Sequence, residues 1–62
     1  MKKVKLFYKN VDGESTHLIA EGEDVGKAGQ NAIEEFKKIQ KIYGEQNLPI
    51  SCIQRMNLIV DN

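Results

Sequence analysis

Cysteine is almost missing from this chain: Cys52 is the only one in 62 residues. A disulfide within the monomer is therefore excluded, and a lone thiol fits a reducing compartment. Histidine is as scarce, with His17 alone, so no set of side chains has the spacing that holds a metal. Tryptophan is absent, and proline occurs once, at Pro49. Long apolar runs are lacking too. None exceeds three residues, as in Leu58-Ile59-Val60, and that falls far short of a membrane span. Met1-Lys2-Lys3 could open an export leader, but Lys5 and Lys9 interrupt the apolar residues Val4, Leu6 and Phe7. These absences predict a cytoplasmic protein with no membrane partner.

An excess of charge of either sign is also lacking. Nine basic residues balance nine acidic ones. A domain built to bind nucleic acid normally carries a basic surplus, so that role becomes the alternative reading. The length allows one domain, 1–62. A chain this short buries roughly 60% of the surface its unfolded form exposes, and its core is marginal. With disulfides and metals unavailable, self-association is the supplement left.

The residues that are present sort into four elements. Val4 to Lys9 alternates apolar and polar, the period of a half-buried strand. Asn10-Val11-Asp12-Gly13 suits a type I turn closed by a left-handed glycine, which makes a bulged three-residue hairpin loop. Ser15 to Glu21 is the returning strand. This loop sets Tyr8 opposite Thr16, Leu6 opposite Leu18 and Val4 opposite Ala20 on one face. Lys5 then lies opposite Ile19, Phe7 opposite His17 and Lys9 opposite Ser15 on the other.

Asp24 can cap a helix whose apolar stripe runs through Val25, Ala28, Gly29, Ala32, Phe36, Ile39 and Tyr43. Gly44 stops it. Glu34 and Lys38 stand four apart in the favourable order. Gly29 on the stripe predicts a close approach of helix to sheet. Glu45 to Pro49 reads as a loop. From Ile50 to Val60 a third strand sets Ile50, Cys52, Met56, Leu58 and Val60 on one side, and Ser51, Ile53, Arg55, Asn57 and Ile59 on the other. The pattern leaves room for a bend near Gln54.

The expected fold is α+β, of order β-β-α-β, with a mainly antiparallel three-stranded sheet and one long helix on one face. Strand order 2-1-3 is preferred to 1-2-3 because it centres the apolar first strand under the helix. The predicted core is Val4, Leu6, Tyr8, Leu18, Ala20, Ala32, Phe36, Ile39, Tyr43, Ile50, Cys52, Met56 and Leu58. The opposite face of the sheet has nothing to cover it. Phe7, Ile19 and Ile53 lie there, ringed by Lys5, Lys9, His17 and Arg55, and together these seven form the candidate association face.

Catalysis finds no footing. No nucleophile, base and carboxylate can be assembled from these elements. Gly22, Gly26 and Gly29 match no phosphate-binding pattern, and Glu21, Glu23 and Asp24 beside them would repel phosphate. No enzyme, cofactor, metal or small-molecule substrate is expected. Lysines interleaved with Phe7 imitate a base-stacking platform and support the nucleic-acid alternative.

The runs VKLFYKNVDGESTHLIAEGED, GKAGQNAIEEFKKI and ISCIQRMNLIV resemble small uncharacterised β-β-α-β proteins of bacterial prophages and mobile elements. The resemblance spans nearly the whole chain and rests on pattern, so it implies a fold more than a function. Gly22-Glu23-Asp24 through Ala28, Asn31 and Ala32 is also similar to the strand-to-helix passage of the HicB antitoxins. Their additional strand and a DNA-binding segment have no counterpart here. That second likeness implies a toxin inhibitor. The primary expectation is a non-enzymatic interaction protein that binds itself, as a homodimer, or a protein partner.

Overall fold

The computed structural model describes residues 1–59; Val60, expected in the third strand, lies outside them. β1 (Lys2–Lys9) and β2 (Ser15–Gly22) form a hairpin, α1 (Val25–Tyr43) comes next, and β3 (Ile53–Ile59) closes the chain order. The strands stand in the order β2-β1-β3, both pairings antiparallel, with β1 central.

Local chemistry explains the hairpin. Gly13 has φ 83°, a conformation that costs a side-chain-bearing residue energy. Its amide donates to the Asn10 carbonyl at 3.0 Å, and the Asn10 amide donates to the Glu14 carbonyl at 2.8 Å. The Asn10 side-chain oxygen accepts from the amides of Asp12 and Glu14, each at 3.0 Å. This bulged loop sets the register Val4–Ala20, Leu6–Leu18 and Tyr8–Thr16, as the turn chemistry predicts.

The helix begins where Asp24 accepts from the Lys27 amide at 2.8 Å. It ends at Gly44, with φ 90°, whose amide donates to the Gln40 carbonyl at 2.7 Å. Lys38 pairs with Glu35 at 3.2 Å rather than with Glu34, and both partners are well exposed. Such a surface pair contributes little.

The core lies between the helix and the first two strands. Phe36 and Leu6 are fully buried, with Val4, Tyr8, Ala20, Ala28 and Ala32 around them. The Tyr8 and Phe36 rings meet edge to face, centroids 5.4 Å apart. Leu48 completes the core, although the sequence places it in a loop. Its amide donates to the Gly44 carbonyl at 3.0 Å, and its carbonyl accepts from Gln40 Nε2 at 2.9 Å. The loop thereby folds back beneath the helix end and plugs the core.

Four residues expected in the core are exposed: Tyr43, Ile50, Met56 and Leu58. Met56 and Leu58 do face the helix side, opposite Leu6 and Val4. They stay wet because α1 packs on β2 and β1 and barely touches β3. Ile50 sits in a short 3-10 turn, Ile50–Cys52, rather than in the strand. Tyr43 falls on the last turn of α1, past the end of the core. Cys52, expected to be buried, is half-buried against the core cluster.

A second correction concerns Ile53. Phe7 opposes Arg55 but Tyr8 opposes Ile53, so Gln54 is an extra residue, a β-bulge. The bulge shifts the phase of the strand and turns Ile53 onto the helix side, where it packs against the core. It does not lie on the open face.

Gly29 also departs from expectation. A methyl group there would meet only Met56 Sδ, at an ordinary 3.5 Å. Gly29→Ala is therefore expected to stabilise the protein by about 0.5–1 kcal/mol, the cost of glycine inside a helix. Thermal melting reads this directly, and a lower melting temperature would mean that the helix lies closer to β3 than this contact implies.

Candidate association surfaces

Three rows of side chains make the open face. Lys3 lies between Glu21 and Ile59, Lys5 between Ile19 and Asn57, and Phe7 between His17 and Arg55. Beyond them Lys9 pairs with Ser15, whose hydroxyl accepts from Gln54 Nε2 at 3.2 Å. Of the seven candidates, Lys5, Phe7, Lys9, His17, Ile19 and Arg55 share this face, and Ile53 does not.

Phe7 is not a bare ring. The Arg55 guanidinium carbon stands 4.2 Å from its centroid and Lys5 Nζ 5.8 Å. The His17 ring lies beside it, 5.7 Å away and tilted by 50°. Cation–π attraction and the arginine's planar stacking hold this cluster and leave Phe7 half-buried. Among the apolar residues on this face, Ile19 is the one left open, 52% exposed.

The charge is one-sided. Among the described residues, Lys3, Lys5, Lys9 and Arg55 share the face with a single carboxylate, Glu21, in a chain whose net charge is zero. Carboxylates gather elsewhere: Asp12 and Glu14 at the hairpin tip, Glu23 and Asp24 before the helix, Glu34 and Glu35 on it. Balance in the sequence therefore conceals polarity in the fold.

On the helix side, the uncovered flank of β3 forms a groove of about 540 Å³ with α1, lined by Val25, Gly29, Ile33, Glu34 and Met56 among others. Sequence reasoning missed this groove. It treated the helix as covering three strands, whereas Ala28 and Ala32 seat α1 close over β2 and β1. A second cavity, of about 380 Å³, lies between the hairpin tip and the helix end, with Tyr8, Asp12, Ile39 and Tyr43 in its wall. Burial holds the Tyr8 phenol above its ordinary pKa of 10.0, with Cys52 and Tyr43 adding to the effect.

His17 and Cys52 are on opposite sides of the sheet, so they cannot act as a nucleophile and base. Among the described residues, no three His, Cys, Asp or Glu side chains could hold a metal ion. No helix of the described residues is long and apolar enough to cross a membrane. Comparison with protein-family models, curated proteins and solved structures finds no match, so the functional reading rests on these surfaces alone.

Proposed function

We propose that this protein is a non-enzymatic, cytoplasmic interaction module that binds an acidic protein surface through its open sheet face. The observation that carries this reading is a band of four cations, Lys3, Lys5 and Lys9 on the central strand and Arg55 on β3, beside exposed Ile19 on the edge strand β2, with Glu21 the one carboxylate among the described residues of this face. An exposed apolar residue flanked by charge is what a protein interface presents, and a cationic band calls for an acidic partner. Pairing this face with itself is unfavourable, because a twofold axis would bring one predominantly cationic surface against an identical one. The partner is therefore foreign. An antitoxin-like inhibitor of the kind implied by the HicB likeness is one form the role can take.

Nucleic acid is the second reading, favoured by the Phe7 ring set among Lys5 and Arg55. Arg55 already occupies one side of that ring, which leaves less of it for a base.

Fluorescence anisotropy with two probes separates the readings. One probe is an extended peptide alternating glutamate and leucine, the other a single-stranded DNA oligonucleotide. The peptide should bind more tightly, and Lys5→Glu with Lys9→Glu should weaken it about tenfold, mainly through slower association. Ile19→Ser should weaken the peptide as well and leave DNA unaffected. Tighter DNA binding with a steep salt dependence would overturn the protein reading in favour of the nucleic-acid one.

A further inference from the structure

The backbone of β3 points to a second, separate contact. In an antiparallel pair, alternate residues direct both their amide and carbonyl to one neighbour. The Asn10 amide bonds to Glu14 on the β2 side, so Tyr8, Leu6 and Val4 face β2, and Phe7, Lys5 and Lys3 face β3. Their partners Arg55, Asn57 and Ile59 face inward, and the backbone groups of Met56 and Leu58 face out from the sheet edge. The same alternation turns the Glu21 carbonyl outward on the β2 edge. There Asn31 Nδ2 donates to it at 2.7 Å, so the helix caps that edge in part. Among the described residues, β3 has no such cover.

Edge strands normally carry devices that discourage pairing: lysine, proline or a bulge. β3 has no lysine and no proline, and its bulge at Gln54 bends only its beginning. Arg55 to Ile59 is regular, and Arg55 is its single charge. Outward-facing amides and carbonyls at alternate residues specify an extended strand as the occupant.

We propose that β3 pairs antiparallel with β3 of a second copy, about a twofold axis at Asn57, to give a continuous six-stranded sheet. In this register Met56 opposes Leu58 of the second copy, and Leu58 opposes its Met56. Both are outward-facing residues, so each of these two pairs exchanges two backbone hydrogen bonds. Their side chains meet on the helix side. Met56, 37% exposed, and Leu58, 49% exposed, thereby merge the two apolar grooves into one. Arg55 falls opposite Ile59 of the second copy, so no like charges are directly opposed. A register centred on Met56 would draw the bulged Gln54 into the pairing, whereas the Asn57 axis avoids it. This contact does not use the open face. It extends that face instead, joining the cations of both copies on one surface.

Asn57 would meet its own copy at a non-hydrogen-bonded pair, the closest side-chain approach in a sheet and one that suits a disulfide. Asn57→Cys in a Cys52→Ser background should oxidise to a covalent dimer, whereas Arg55→Cys in the same background should not. Sedimentation equilibrium from about 10 µM to about 1 mM should show the wild type passing from monomer to dimer. Leu58→Lys should remain monomeric at the top of that range with an unchanged melting temperature at low concentration. Leu58→Pro, which removes an outward amide together with the leucine side chain but no amide bonded to β1, should do the same. A wild type that stays monomeric throughout, or a dimer in which Arg55→Cys links as readily as Asn57→Cys, overturns the proposal. Neither outcome touches the reading of the open face, which peptide binding tests.

Discussion

Phe36→Ala is expected to leave the protein largely unfolded near room temperature. Phe36 is fully buried and makes the edge-to-face contact with Tyr8 at the centre of the core. Truncating a buried phenylalanine costs about 3–5 kcal/mol, the lost transfer energy plus the cavity left behind. A domain of this size has only about 3–9 kcal/mol in all, by the usual stability per residue. The neighbours cannot collapse into the gap, since Ala28 and Ala32 on the same helix face are too small to fill it. Phe36→Leu, which keeps most of the volume, should cost less than about 1.5 kcal/mol. Ile42→Ala, at a position 78% exposed, should lie within about 0.5 kcal/mol of wild type. Urea unfolding of the three variants checks the ranking. A Phe36→Ala protein that melts within a few degrees of wild type would show the helix face to be wrongly placed.

What the sequence made legible was local. Asn10, Asp12 and Gly13 define their turn through bonds spanning two to four residues, and these set the hairpin register. Asp24 and Gly44 bound the helix for the same kind of reason. Strand order came from which strand was most apolar. A bend near Gln54 was legible, but that it inserts an extra residue and shifts the phase was not, because nothing adjacent to it creates the bulge. Its side chain is tied to Ser15, 39 residues away in the chain, across the central strand. Ile53 was misplaced by that one residue of phase. Leu48 went unrecognised because a loop offers no period against which a buried position stands out. Six of the seven residues expected on the open face do share it, because the hairpin register and the part of β3 after the bulge place them. The stacking of Arg55 on Phe7 depends on the pairing of β1 with β3, which a single sequence leaves open. How far a helix covers a sheet depends on where its axis lies, and the width of an apolar stripe does not report that.

Gly22→Ala is expected to be the most damaging of the single-methyl changes, at about 3 kcal/mol, through crowding of a packed interior. Gly22 ends β2 and is buried where the chain turns into α1. A Cβ there would collide with the Ala28 amide nitrogen, and would lie 2.7 Å from the Lys27 carbonyl carbon and 2.8 Å from its Cβ. These are mostly backbone atoms, and a rotamer change cannot move them aside. The Ala28 amide is held by the Asp24 carbonyl at 2.9 Å and the Lys27 amide by the Asp24 carboxylate at 2.8 Å. Relief therefore requires either lifting the first turn of the helix off the sheet or breaking its cap. Breaking the cap alone, as in Asp24→Ala, should cost about 1 kcal/mol. Gly22→Ala should exceed that, and the double variant should cost less than the sum, because the two changes disturb one turn. The contrast with Gly29→Ala is the sharpest check. The same added methyl group should stabilise at 29 and destabilise at 22, a difference of about 4 kcal/mol. Equal melting temperatures for the two alanine variants would mean that β2 and the helix do not meet as closely as Gly22 indicates.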